Sequence, residues 1–259
     1  MSIKLQYIFR AGELFLSETN TLPFEIPETL SHLIIDSLDL TLSGSPAHAV
    51  LLSGSVPEGP SSDKWVKLRS LLASTDPLEA GLASAATRAL GLLNWHSSHR
   101  FCTRCGTPYI DHPKDIARLC PACKAIVYPR LSPAVIVLVQ KEGKILLARH
   151  TERNQDTFSC IAGYIEHGET LEECVIREVA EETGLLVHNI QYAGSQSWPY
   201  PDQYMIGFYA DWKSGEIRVE PEELLEACWF DRDHLPNYPM PGTVAWRLIN
   251  GFLSLSSKK

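Results

Sequence analysis

The chain has 259 residues, 44% hydrophobic and 21% charged, with 31 Asp+Glu against 23 Lys+Arg and a formal net charge of −8. These values exclude collagen-like, coiled-coil and wholly disordered chains, and no stretch approaches the roughly 20 apolar residues of a membrane span. The acidic balance argues against a dedicated DNA- or RNA-binding protein, and the first 16 residues lack a signal-peptide core, so a cytoplasmic protein off the membrane is expected.

In chain order, residues 3–17 read as two short strands turning at Ala11-Gly12. A proline-containing stretch follows, then strands over 33–41 and 48–53 and helices over 61–72 and 77–95. The second helix opens with Asp76-Pro77, an N-cap residue before proline at the first helical position. This part of the chain, residues 1–97, carries no chemical motif and reads as a small α+β domain. Residues 98–127 hold Cys102, Cys105, Cys120 and Cys123 as two C-x2-C pairs, four of the seven cysteines. Two such knuckles give four thiolates at tetrahedral corners, which suits Zn²⁺ and leaves no open position, so the zinc is expected to be structural. His96 and His99, just before the first pair, read as solvated linker residues. Cys160, Cys174 and Cys228 read as core. Between residues 99 and 131, Arg100, Arg104, Lys114, Arg118, Lys124 and Arg130 are opposed only by Asp111 and Asp115. This basic segment is either a nucleic-acid contact or a solvated spacer.

From residue 133 the pattern changes. Residues 134–140 read as a buried strand and 144–149 as its hairpin partner. Strands follow over 189–198, 203–212 and 226–231, with a helix over 170–183 and a closing helix over 242–253. Thr170 with Glu173 forms a capping box, and Gly184 can end that helix in a left-handed turn. Val175, Ile176, Val179 and Ala180 make an apolar stripe. Glu178, Glu181 and Glu182 share another face at i, i+3 and i+4. Such a face is either solvated or holds a hard cation. The loop with Gly163 and Gly168 that enters the helix, and Arg177 among the carboxylates, favour Mg²⁺ or Mn²⁺ and attack of water on a phosphoanhydride.

The string Gly163-x5-Glu169-x7-Arg177-Glu178-Val-Ala-Glu181-Glu182-Thr-Gly184-Leu185 resembles the Nudix box at every defining position. The resemblance implies a Nudix hydrolase, in which Glu178 and Glu182 hold divalent metals together with the carbonyl of Ala162. Glu181 assists, and Glu169 orients Arg177. Residues 195–205, SQSWPYPDQYM, offer either stacking faces for a base or a strand edge with a rigid turn. They resemble the S-Q-P-W-P-F-P-x-S signature of the NADH pyrophosphatase subfamily, departing at Ser197, Tyr200 and Gln203. That resemblance implies substrate contacts from Gln196, Ser197, Trp198, Pro199, Tyr200, Pro201, Asp202 and Gln203. It also implies Glu223 as a remote metal carboxylate, with Glu222 and Glu226 as competing choices. Tyr128 and Tyr164 match aromatic contacts, Asp115 an acidic one, Ala245 a backbone contact, and Arg69 a phosphate or base contact.

The subfamily carries a four-cysteine zinc ribbon before its Nudix domain and forms homodimers with composite sites. The implied architecture is α+β: an N-terminal domain over 1–97, a zinc ribbon over 98–127, and a Nudix domain over 128–259 with a mixed sheet between helices. The implied reaction is hydrolysis of the central pyrophosphate of NADH or NAD⁺ to nicotinamide mononucleotide and AMP, with structural Zn²⁺ and catalytic Mg²⁺ or Mn²⁺. Removal of NAD caps from RNA is the alternative, with no DNA partner. A nucleotide-sensing regulator without catalysis, or a zinc-ribbon nucleic-acid adaptor, is the rival of another class.

Overall fold

The structure, a computed structural model, describes residues 4–17, 19–53, 64–74, 76–151 and 156–251. The chain forms two compact units: Met1–Leu131 with Trp198–Asp202, and Ser132–Ser197 with Gln203–Lys259.

In the first unit, β1 (Leu5–Arg10) and β2 (Glu13–Leu16) join through Ala11 and Gly12, at φ 43° and 81°. This two-residue turn matches the twist of its strands, and glycine takes the second position without strain. After α1 (Glu28–Ser31) a second hairpin forms from β3 (Ile34–Leu42) and β4 (Ser45–Leu52). With β5 (Lys64–Lys67) the sheet order is β3-β4-β1-β2-β5, and β1 runs parallel to β4. Two helices follow, α2 (Leu68–Leu72) and α3 (Pro77–Ser98). The helix expected over 61–72 is therefore corrected: helix begins only at Leu68, and residues 61–63 lie outside the described ones. Trp65 and Val66 suit a strand and pair with Phe15 and Leu14 of β2; the Trp65 and Phe15 rings meet edge-on at 5.2 Å.

At α3 the Asp76 carboxylate accepts the Leu78 N–H at 2.9 Å, the cap its sequence predicts. Both faces of the sheet are buried. Phe9, Leu14, Ala86, Leu90 and Leu93 lie on the side of α2 and α3, and Ile8, Phe15, Leu30 and Val50 on the other.

The zinc-ribbon segment is a small antiparallel sheet of β6 (Ile110–Asp111), β7 (Arg118–Leu119) and β8 (Ile126–Val127). His96 corrects the expectation of a solvated linker. It is buried, with Nδ1 2.7 Å from Asp36 of β3 and Nε2 2.9 Å from Asp111 of β6. Arg118 donates to Asp111 as well. A polar network thus ties α3 to both neighbouring sheets, and buried polar groups persist only when partnered in this way.

The second unit contains β9 (Ser132–Lys141), β10 (Lys144–His150), β11 (Ile161–Tyr164), α4 (Leu171–Thr183), β12 (Leu186–Trp198), β13 (Gln203–Ser214), β14 (Leu224–Asp231) and α5 (Val244–Asn250). Its sheet order is β12-β13-β9-β10-β14, with β11 paired to β9 and β13 parallel to β9. Strand β9 explains its unbroken apolar run. Val135, Val137 and Val139 pack on the side of α4, while Ile136 and Leu138 pack on the side of α5, so alternate residues feed two cores. This is the mixed sheet between helices. Helix α5 is shorter than the span 242–253, because Thr243 caps its start and Gly251 its end in a left-handed conformation; residues 252 and 253 lie outside the described ones.

On α4 the buried side holds Cys174, Val175, Glu178, Val179 and Glu182, whereas Ile176 is exposed. The expected apolar stripe is thus rotated by about one position. Among the described residues no helix is long and apolar enough to cross a membrane.

Candidate functional site

The four cysteines are placed by two matching turns. The Cys102 carbonyl accepts the Gly106 N–H at 2.8 Å, and the Cys120 carbonyl accepts the Lys124 N–H at 3.0 Å. Gly106 and Lys124 both have positive φ, 73° and 61°, so each turn aims two sulfurs inward. Cys102 Sγ lies 3.6 Å from Cys123 Sγ, and Cys105 Sγ 3.5 Å from Cys120 Sγ. All four ligand atoms lie within 4.8 Å of one another, close to the ~3.8 Å edge of a tetrahedron with Zn–S bonds of about 2.3 Å. Against burial, which raises it, the N–H of Arg104 and the Tyr109 hydroxyl hold the Cys102 thiol down to about 6. Four adjacent thiolates need a compensating cation, so the donor set fits structural zinc.

The second site is built around Arg177, which uses every donor it has. Nε and Nη2 donate to the two oxygens of Glu169 at 3.0 and 2.8 Å. Nη1 donates to Glu178 at 2.8 Å and Glu181 at 3.0 Å, and Nη2 also reaches the Tyr164 carbonyl at 2.9 Å. This bidentate clamp fixes the carboxylates relative to one another. The Arg177 guanidinium, with the Glu166 N–H, holds Glu169 down to about 2. Glu178 moves the other way. Burial raises its pKa, Arg177 opposes this, and the charges of Glu181 and Glu223 push it further up.

The capping box sets the start of the helix that carries these groups. Glu173 N–H donates to Thr170 Oγ1 at 3.2 Å, and Thr170 N–H donates to Glu173 at 2.7 Å. Gly163 of β11 lets Glu178 lie against the strand: a Cβ there would stand 1.9 Å from the Glu178 carboxyl carbon.

A cleft of about 510 Å³ opens here, lined by Ala162, Tyr164, Arg177, Glu178, Glu182 and Glu223, and also by His150, Thr151 and Glu222. Its oxygen donors fit a hard divalent cation. These carboxylates are not gathered as tightly as the thiols: among the described residues the cysteines are the one Cys/His/Asp/Glu group of three or more within 4.8 Å.

Of the competing carboxylates on the 222–226 segment, Glu226 does not line the cleft and pairs with Arg149 at 2.7 Å. Glu223 does line it, and its carbonyl accepts the N–H and hydroxyl of Thr151 at 2.9 and 3.2 Å. A register shift in β10 falls between Arg149 and His150, just before Thr151. Neither Thr151 nor His150 stands in any local pattern, so the sequence offers no signal for them.

Tyr164 is half exposed, and its hydroxyl accepts from the Gln203 amide. Gln196 donates to the Gly242 carbonyl at 2.8 Å, just before α5, whose first turn buries Ala245. Ser197 is half-buried at the end of β12.

The other expected contacts lie in the first unit. Arg69 stacks over Tyr200 and Trp198, at 4.5 and 5.3 Å from the ring centres. Pro199 is buried, Pro201 exposed and Asp202 half-buried. Asp115, on the zinc-ribbon segment, and Tyr128, just after it, are exposed, and the Asp115 N–H donates to His112. Asn94 of α3, which carries no sequence signal, donates to the carbonyls of Pro199 and Pro201.

The NUDIX domain family matches residues 129–248, and the NADH pyrophosphatase zinc ribbon domain matches residues 97–128. The chain is 44% identical over 177 residues to a Salmonella heidelberg protein named NAD-capped RNA hydrolase NudC, covering 68% of this chain and 69% of the relative. A protein of the same name from Chromobacterium violaceum is 44% identical over 186 residues, covering 72% and 69%. Among solved structures, a NUDIX hydrolase from Nitrosomonas europaea has the same fold, with a TM-score of 0.50, 24% identity, and coverage of 58% of this chain and 90% of that one.

Proposed function

The chain belongs to the family of Nudix hydrolases that carry an NADH pyrophosphatase zinc ribbon, and from this premise we propose that it hydrolyses the central pyrophosphate of NAD(H) to nicotinamide mononucleotide and AMP. The observation that carries this is the Arg177 clamp on Glu169, Glu178 and Glu181 beside a cleft that also presents Glu182 and Glu223. Glu178, Glu182, Glu223 and the Ala162 carbonyl would hold Mg²⁺ or Mn²⁺. A divalent cation bound there supplies charge neutralisation for the pyrophosphate and a lowered pKa for the attacking water.

The chain's own residues do the rest. Glu169 locks the guanidinium of Arg177, which sets the angle of Glu178. Glu181, the exposed member of the clamp, or another carboxylate of the cluster takes or relays the proton released by the water. Tyr164, Trp198 and Tyr128 offer ring faces to the bases. Gln196, Ser197, Pro199, Tyr200, Pro201, Asp202 and Gln203 shape the substrate loop, and Asp115, Ala245 and Arg69 complete the contacts.

NAD-capped RNA is the second substrate. The name of the relatives points to it, and Arg100, Arg104, Lys114, Lys124 and Arg130 are all exposed to meet phosphates. The working form is a cytoplasmic homodimer, for which sedimentation at several concentrations is the check. The enzymatic test is a panel of NADH, NAD⁺, ADP-ribose and NAD-capped RNA with Mg²⁺ or Mn²⁺, products being identified by mass. Metal-dependent release of AMP from NADH is expected, and no cleavage of any dinucleotide would leave the regulator reading standing. RNA decapping should weaken as salt rises; a salt-independent rate removes the basic segment from the account.

A further inference from the structure

We propose that Asn94 is a positioning residue that fixes the Trp198–Asp202 loop for nucleotide binding, and that the N-terminal domain serves the reaction as the socket of that loop. The inference rests on the proposed function for the identity of the nucleotide, but its geometry stands on this chain alone.

The loop cannot hold its own shape. Pro199 and Pro201 have no N–H to donate, and its internal backbone bond is Tyr200 N–H to Trp198 O at 2.8 Å. The carbonyls of residues 199 and 201 need donors from elsewhere. Asn94 provides both from one amide nitrogen, 3.2 Å to Pro199 O and 3.2 Å to Pro201 O. Two carbonyl acceptors around one atom identify that atom as the NH₂ group.

The rest of the socket is apolar and shape-matched. The Tyr200 ring packs with the cluster of Phe9, Leu14 and Leu90. It lies over Gly12, where a Cβ would come within 3.2 Å of the ring at a backbone φ of +81°. Gly91, one turn before Asn94 on the same face of α3, faces Pro199, with 3.7 Å left for a Cβ. Arg69 adds its guanidinium over the same ring, 4.5 Å from its centre. An amide, the close approach at Gly12 and a guanidinium therefore hold one loop of five residues with two prolines.

The test is Asn94→Asp, which keeps the size of the side chain and turns a double donor toward two carbonyls into an acceptor. Asn94→Ala is the second variant, in case the first does not fold, as judged by zinc content and circular dichroism. Two readouts separate positioning from mere structure. Hydrogen exchange in the peptide spanning residues 196–204, without substrate, should speed up by about tenfold. The KM for NADH should rise by about tenfold with kcat within about threefold, because the loop carries binding rather than bond cleavage. Wild-type exchange rates in a folded variant overturn the proposal, as do an unchanged KM with a loosened loop and a fall in kcat at constant KM. If the wild type does not cleave NADH, the proposed function fails, and hydrogen exchange alone then decides the positioning claim.

Discussion

The molecule carries two ligand clusters, and they differ in nearly every physical respect. The cysteine set is made by two short turns of one segment. Its soft donors close on a single point within 4.8 Å, and two of the four, Cys102 and Cys120, are buried. The carboxylate set is assembled from α4, β11 and the 222–223 turn, lines an open cleft, and is arranged by an arginine rather than by turns. A closed soft site can only hold its segment together, whereas an open hard site leaves room for substrate oxygens. The contrast teaches that the two clusters suit different tasks, folding for one and turnover for the other. Each can be broken without the other.

Cys120→Ser should have the largest effect on stability. Bound zinc should fall from about one per chain, and the ribbon should lose up to about 10 kcal/mol of folding free energy. Metal analysis and thermal melts read this, and a fully zinc-loaded, equally stable variant would erase the distinction between the clusters.

Glu178→Gln should lower kcat by about a thousandfold, ~4 kcal/mol of barrier, with zinc content and melting temperature near wild type. Retained turnover would remove this carboxylate from the reaction. A sharper comparison lies within the cleft segment itself. Glu223→Gln should cost about a hundredfold in kcat, while Glu226→Gln, which loses only the half-exposed pair with Arg149, should stay within about threefold. The reverse ranking would transfer the role to Glu226.

The smallest effect belongs to the helix start. Thr170→Ala should lower stability by about 1 kcal/mol. Its partner Glu173 sits below its ordinary value of 4.5, because the Thr170 N–H and hydroxyl bond its charged form. A depressed carboxylate contributes stability above its unfolded pKa and loses it as pH falls through the folded one. The melting-temperature gap between wild type and Glu173→Gln should therefore close as pH drops below 4.5. A gap that persists in acid would show that the cap does not depend on the charge.

Much of both clusters is legible in the sequence. C-x2-C on a turn and Glu at i, i+3 and i+4 on a helix are local geometries, and so are the hairpin turn at Ala11-Gly12 and the caps at Asp76 and Thr170. The strand at 64–67 is not legible, because Trp65 becomes a strand residue only when β2 offers it an edge. His96 reads as a linker residue because its two carboxylate partners lie 60 and 15 residues away.

By itself the sequence determined the ligand chemistry, the family and the buried strand at β9, since each is set by residue types and spacing within a short stretch. Tertiary structure alone decided that Glu223 rather than Glu226 faces the cleft, that Ile176 points outward while Glu178 is buried, and that Asn94 holds the Trp198–Asp202 loop. Those outcomes depend on groups up to 107 residues apart. No local period encodes them, because which side chain meets which is fixed only when the sheets and helices close on their cores.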